Sequence, residues 1–386
     1  MKPRDLLALL PRPLLDLLET SERTVPRLDP GETDRLVARA RSLRVAFVRQ
    51  DIFSDLYCAN PKWPGPELVR NSTRRTGPAG LLVDLAADYW IVREAADPEC
   101  AVWTEKIERD PVSPDHYRAQ RTARPAAHIR HSFAEFSVGV DEIPWEDYDL
   151  VVAMDVAVPY RILAKTRRPL WAYLPSDPGS PTAKRSLWKP PGNYDLALTH
   201  SFRRIPVRPG LGPRTVEFPY AFLRRKTWEE VFPQGSGAEK TGTMVEHQTE
   251  AILSPDERRR LESLGPLRKP QGSLPEVANS LNHSRFYFRC GGGPIVGNGL
   301  VEAVAAGCVA VGRKEEFVNR SLLCRSGLIT SLGQGIKKME QMNADAKTTD
   351  HLEELQGRLV DFYCFHRPLS EILHHGEEQR GWGRNR

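Results

Sequence analysis

One pattern recurs along this chain and limits its folds more than any other: a short apolar run, rich in β-branched and aromatic residues, ending at a polar residue and separated from the next run by a helix-length stretch. Residues 44–49 lead into Gln50 and Asp51, residues 147–154 into Asp155, residues 169–174 into Pro175, Ser176 and Asp177, and residues 194–199 into His200; residues 88–92 form a further run. Continuously apolar runs suit strands buried on both faces, and helix-length spacers suit the crossovers that parallel strands require. The chain therefore predicts an α/β fold with parallel, doubly wound sheets. Ligands of such sheets bind beyond the carboxyl ends of the strands, which makes Asp51, Asp155, Asp177 and His200 the first candidates.

Length and composition set how many such sheets to expect. The chain has 386 residues, 40% hydrophobic and 27% charged, enough for two cores and ordinary for a folded protein. Pro, Gly and Arg crowd residues 206–219, turn formers crowd 233–242, and a strand-like run restarts at 243–247, placing a linker near 220–240. The expected division is a helical segment at 1–40, a Rossmann-like domain at 41–225, a second at 226–366, and a helix end with a polar, poorly ordered tail at 367–386. Segment 1–40 carries a leucine stripe (Leu6, Leu7, Leu10, Leu14, Leu17, Leu18) at helical period. The Pro-, Arg- and Asn-rich stretch to Pro78 reads as a long loop, and 113–130 as a weak, cationic helix.

Several function classes are excluded at this level. No apolar run approaches the length of a membrane span, and Pro11, Arg12 and Pro13 break the only apolar start, so a cytoplasmic protein without signal or anchor is expected. The six cysteines show neither a CxxC pair nor a metal-ligand spacing. A net charge of +5 suits anionic small substrates and lies far below what nucleic-acid binding would need. No nucleic-acid partner is expected, no carboxylates are read as an Asp-x-Asp cation site, and neither a metal nor a resident cofactor is expected.

The most informative stretch runs from Cys290 to Gly312 and divides into a glycine-rich loop, a helix and a strand. Gly291, Gly292, Gly293, Gly297 and Gly299 permit close approach of backbone N–H groups to a ligand, and a helix beginning near Asn298 turns its positive end toward that loop. Glu302, about one turn into the helix, can face the same place and accept hydrogen bonds from ribose hydroxyls. Ala303, Ala305 and Ala306 let the helix pack tightly on a sheet, and Gly307 ends it before the strand at 309–311.

The run Gly-Asn-Gly-Leu-Val-Glu-Ala-Val-Ala-Ala-Gly-Cys-Val-Ala-Val-Gly, residues 297–312, resembles the donor-site signature of nucleotide-sugar glycosyltransferases of the GT-B fold. That resemblance implies two Rossmann-like domains facing a central cleft, closed by C-terminal helices. It implies a nucleoside diphosphate sugar held mainly by the second domain, with its ribose on Glu302 and its phosphates near Gly293, Gly297 and Asn298. Arg289, before the glycine loop, and His247, after the strand that opens the second domain, are further candidates for the diphosphate. Asp155 and Asp177 are the candidate bases for an acceptor, and the two domains are expected to close over the donor. The sequence departs from retaining members at Pro294, where they carry a second glutamate, so neither donor-sugar contacts nor stereochemistry carry over.

Each residue has a plainer reading. Glu302 could be an ordinary helix glutamate, Asp155 a helix cap, Asp177 the start of a turn, His247 a structural histidine and Arg289 a surface cation. The function expected is transfer of a sugar from a nucleoside diphosphate sugar to an undetermined acceptor nucleophile. The alternatives are a catalytically silent GT-B-like binding or scaffold protein and, behind it, a sugar-nucleotide epimerase. A nicotinamide-dependent oxidoreductase is disfavoured because no Gly-x-Gly-x-x-Gly follows the first strand.

Overall fold

The structure is a computed structural model that describes residues 28–29, 31–50, 65–70, 78–92, 137–154, 158–174, 194–199, 214–219, 221–234, 239–271, 274–291, 298–317, 322 and 324–382. The chain forms two compact units, one built from Gly31–Phe222 and His366–Arg386, the other with Leu223–Phe365 as its body. Asp51, Asp155, Asp177, His200, Gly293, Gly297, the leucine stripe and the cationic stretch at 113–130 lie outside the described residues.

The first unit holds seven strands: β1 (Val45–Gln50), β2 (Asp88–Val92), β3 (Ser137–Val138), β4 (Leu150–Met154), β5 (Leu170–Leu174), β6 (Leu196–Thr199) and β7 (Arg214–Glu217). They pair in parallel in the order β3-β2-β1-β4-β5-β6-β7. Alternation assigns the two faces. Ala46, Val48, Val151, Ala153, Trp171 and Tyr173 share one apolar cluster, in which the rings of Trp145 and Trp171 lie 5.5 Å apart.

Acidic residues at the entries of these strands are structural. Asp149 accepts from the Arg44 backbone N–H (2.8 Å), Asp195 accepts from the Trp171 N–H (2.9 Å), and Asp88 accepts from the Tyr148 hydroxyl (2.9 Å). Each ties the start of its strand to a neighbouring segment, satisfying polar groups that burial would otherwise strand. Asp147-Tyr148-Asp149 is an Asp-x-Asp by letter, at the entry end of β4. Arg44 and Arg168 engage its carboxylates.

The second unit holds β8 (Thr243–Val245), β9 (Leu267–Arg268), β10 (Phe286–Arg289), β11 (Val309–Arg313) and β12 (Leu328–Ile329), again all parallel, in the order β12-β11-β10-β8-β9. Helices Leu332–Ala344 and Ala346–Val360 follow, then a π-helical turn Asp361–His366. Leu352, Leu355, Leu359 and Phe365 are buried, as the apolar pattern predicts, whereas Phe362 and Tyr363 are only half-buried.

The C-terminal helix Arg367–Arg380 returns to the first unit and packs on β5, β7 and the helix Glu32–Ala40. The tail expected to be poorly ordered from Gly376 is thus helical to Arg380. The reason is on its buried face: Leu369, Ile372 and Leu373 are in the core, Arg380 donates to Asp195 (2.8 Å), and Gly376 leaves room for the Trp382 ring. Among the described residues no helix is long and apolar enough to cross a membrane.

Candidate functional site

Strand order fixes where each sheet opens. In the second unit β8 leads to β9 on one side while β10 leads to β11 on the other, so the connections leaving β8 and β10 diverge. Such a switch point leaves room for a ligand beyond the carboxyl ends of the two strands. The residues there are Glu246 and Gln248 after β8, Arg289 at the end of β10 with Cys290 and Gly291 after it, and Arg313 at the end of β11 with Glu316 after it. The first sheet reverses in the same way between β1 and β4, whose last described residue is Met154, immediately before Asp155.

A buried polar cluster occupies the second switch point. The Tyr287 hydroxyl donates to Glu246 Oε1, the Arg289 guanidinium lies 3.8 Å from Glu246 Oε2, and Arg289 Nη1 donates to Gln248 Oε1 at 3.3 Å. Arg289 has no exposure at all, so it is not the surface cation of the plainer reading. A charge so buried needs compensation, and Glu246 contributes to it. Burial first, and the Glu246 carboxylate second, hold the Tyr287 phenol well above its ordinary range, so it stays a donor.

The helix Gly299–Ala305 sits against this cluster. A Cβ at Gly299 would lie 2.9 Å from the Tyr287 hydroxyl and 3.0 Å from Glu246 Oε1, so this glycine is required by packing. Gly307 closes the helix at φ 82°, as its place in the sequence predicts. Glu302 is 6% exposed and close enough to Tyr287 to act on its phenol electrostatically, so it is no solvated helix glutamate. Asn298 is 3% exposed, and neither its Oδ1 nor its Nδ2 has a hydrogen-bond partner. A buried amide with both functions unmet costs stability in the free protein, on the order of 1 to 3 kcal/mol per unsatisfied group.

Glu316 completes the described site. It is 3% exposed, its Oε1 accepts from the Gly291 N–H at 2.6 Å, and Arg313 Nη1 lies 3.7 Å from the same oxygen. Gly291 itself holds φ 107°, a conformation reserved for glycine. Two cations, Arg289 and Arg313, stand against three carboxylates, Glu246, Glu302 and Glu316. The described portion of the site therefore offers many acceptors and suits a ligand rich in hydroxyl donors.

Of the residues singled out by sequence, Arg289, Asn298 and Glu302 share this one place. His247 does not join their hydrogen bonding: β8 ends at Val245, Glu246 takes the exit position, and His247 opens a short helix with its side chain exposed. Sequence reasoning missed Glu246, Tyr287, Arg313 and Glu316. The available signal was positional, since Glu246 and Glu316 follow strand ends and Arg313 is itself the last residue of β11. Among the described residues no group of three His, Cys, Asp or Glu side chains converges as a metal site.

No protein-family model matches the chain, and neither does any curated protein. Solved structures with a similar arrangement include an alpha-glucosyltransferase in complex with UDP-glucose and DNA containing an abasic site, at 11% identity over 86% of this chain and 99% of that one, TM-score 0.48. Sucrose-phosphate synthase from Thermosynechococcus elongatus is similar at 11% identity, covering 87% and 98%, TM-score 0.45. The pneumococcal O-GlcNAc transferase GtfA, in complex with UDP and GlcNAc, is similar at 11% identity over 59% of this chain, which spans only 56% of that one, TM-score 0.39.

Proposed function

We propose that this protein is a GT-B-like glycosyltransferase that moves a sugar from a nucleoside diphosphate sugar to an acceptor nucleophile. The observation that carries the reading is the buried, unpartnered amide of Asn298 at the switch point of the second sheet, one turn ahead of the buried carboxylate of Glu302. A ligand presenting both an acceptor and a donor satisfies that amide; a ribose diphosphate presents both. Glu302 accepts from the ribose hydroxyls. Gly293 and Gly297 bring the phosphate-binding role their sequence context gives them, and Arg289 and Arg313 supply positive charge at the neighbouring strand ends. His247, exposed after β8, is a peripheral phosphate contact.

The reaction needs a base on the acceptor. The carboxylate of Asp155, next in sequence after β4, takes the acceptor proton as the acceptor oxygen bonds to the anomeric carbon. The bond from that carbon to the phosphate oxygen breaks with its electron pair, and the nucleoside diphosphate leaves. Asp177, beyond β5, is the second candidate for this role. Developing charge on the leaving group is stabilised by fixed donors rather than by reorganising water.

Titration calorimetry with UDP, GDP and ADP, paired with their glucose or mannose conjugates, tests the donor reading. Micromolar binding of at least one pair is expected, and binding of none overturns it. Asp155→Asn is expected to keep donor affinity and lower turnover by about 10² to 10⁴-fold, the range of general-base catalysis. Unchanged turnover moves the role to Asp177.

A further inference from the structure

Tyr287 carries a hydroxyl where packing alone is served by phenylalanine. It lies on β10 between Phe286 and Phe288, and all three side chains are buried in the core. Its ring fills the space with or without the hydroxyl. Keeping that hydroxyl requires an acceptor, and the acceptor is the Glu246 carboxylate, itself mostly out of solvent. Burying such polar groups gains little stability over an apolar pair of the same volume. What the pair does supply is a fixed distance and direction, because a hydrogen bond tolerates less sliding than an apolar contact does.

Two elements meet at this pair. Parallel pairing sets Val245 beside Phe288, and the Glu246 N–H donates to the Phe288 carbonyl at 3.3 Å, so the backbone that carries the carboxylate is held by the sheet itself. Opposite stands Gly299, the first residue of helix Gly299–Ala305. A Cβ at Gly299 would lie 2.9 Å from the phenolic oxygen and 3.0 Å from Glu246 Oε1, but 3.7 Å from the ring carbon that bears the hydroxyl. The helix therefore rests on the two bonded oxygens and not on the ring. The Glu302 N–H donates to the Asn298 carbonyl at 2.8 Å, closing the turn around Gly299, so Glu302 moves with that residue. The line of contact runs from sheet to hydroxyl and carboxylate, from these to the helix start, and from the helix start to Glu302.

We propose that Tyr287 is a positioning residue for Glu302: its hydroxyl, bonded to Glu246, sets how closely helix Gly299–Ala305 sits on the strand ends and so where the Glu302 carboxylate meets the ribose. The proposal rests on the donor reading given above and deepens it. Tyr287, being buried, touches no ligand. Without its hydroxyl the space in front of Gly299 is empty, the helix start settles toward the sheet, and Glu302 is carried with it. Hydrogen bonds to ribose hydroxyls weaken steeply once distance and angle are spoiled.

The test reads the ribose hydroxyls directly. Calorimetry compares UDP, GDP and ADP, each with its 2′,3′-dideoxy analogue, on the natural protein and on Tyr287→Phe. For the nucleotide that the natural protein binds, removing the ribose hydroxyls is expected to weaken binding by about 10 to 100-fold, as for loss of charged hydrogen bonds. In Y287F that ratio is expected to shrink by about 3-fold or more, the scale of coupling between residues in contact, through weaker binding of the full nucleotide while the dideoxy analogue is little changed. A merely structural tyrosine lowers the melting temperature and leaves the ratio as it was; a ratio that shrinks by less overturns the proposal while the donor reading stands. A natural protein that binds the nucleotide without regard to its ribose hydroxyls gives Glu302 no ribose to meet and overturns the proposal as well. One that binds none of the nucleotides overturns both readings. If Y287F does not fold by circular dichroism, Gly299→Ala, which displaces the same helix start from the other side of the contact, is read by the same ratio, with the same shrinkage expected and a smaller one overturning the proposal.

Discussion

The α-carbon hydrogens of Gly299 face the Tyr287 hydroxyl so closely that a methyl group there would lie 2.9 Å from the phenolic oxygen. Nothing about the backbone at 299 demands glycine, whose φ is not in the left-handed region. The demand comes from across the sheet exit, where Tyr287 and Glu246 fill the space a side chain would need.

Gly299→Ala is therefore expected to push apart the Tyr287–Glu246 hydrogen bond and destabilise the fold by about 1 to 3 kcal/mol, the usual cost of overpacking. Chemical denaturation measures this. Tyr287→Phe in the same background should recover part of the loss, because the clashing oxygen is gone; no recovery would place the strain elsewhere.

Glu246 and Arg289 form a pair whose members depend on each other. Glu246→Ala takes one carboxylate away from a fully buried guanidinium and should cost about 3 to 5 kcal/mol. The double variant Glu246→Leu with Arg289→Met should lose much less, since neither charge remains. Equal losses in the single and double variants would show that the two charges are held independently.

Asn298 should behave in the opposite way. Asn298→Ala removes two unsatisfied buried polar atoms, so the melting temperature of the free protein should hold or rise, while nucleoside diphosphate affinity falls by about tenfold or more. A parallel fall in stability and affinity would mark Asn298 as structural.

Acid should weaken the first unit before it touches the second. Burial lowers the basicity of His366 and His375, and in His375 the nearby Arg214 adds to the effect. Both are then neutral when folded at a pH where the unfolded chain already binds protons. Stability is full above the unfolded value of about 6.5 and is lost as pH falls below it toward the depressed folded values. Denaturation midpoints between pH 7.5 and 5 should fall with a slope that His375→Gln reduces; an unchanged slope removes His375 from the account.

Much of the architecture was legible because parallel strands announce themselves. The runs that became β1, β4, β5, β6, β10 and β11 each open on a continuous apolar stretch, and burial on both faces is what makes it so. The strands that escaped are short or polar: Ser137–Val138, Leu267–Arg268, Leu328–Ile329, and Arg214–Glu217, whose edge position leaves Arg214 exposed and whose neighbours are prolines and glycines. The site divides along the same line. Asn298 and Glu302 could be found because they lie on one helix turn with the glycines, a local pattern. Glu246 and Tyr287 stand 41 positions apart and Gly291 and Glu316 stand 25 apart, so their contacts arise only once β8, β10 and β11 lie side by side. Sequence pointed to strand exits as the acidic positions of interest, while the structure shows that Asp88, Asp149 and Asp195 at the entries hold the first sheet together.

The return of helix Arg367–Arg380 to the first unit has a topological consequence. The chain leaves that unit after Phe222 and re-enters it at His366, so the stretch Leu223–Phe365 is inserted between the two parts of the first unit. A fragment ending near residue 222 keeps the seven-stranded sheet but loses the helix that buries Leu369, Ile372 and Leu373 against it. The five-stranded sheet and its polar cluster, by contrast, lie within the continuous stretch Leu223–Phe365. The residues proposed for donor recognition are thereby encoded in a segment that recombination can exchange as one piece, while the seven-stranded sheet and its C-terminal helix must be inherited together.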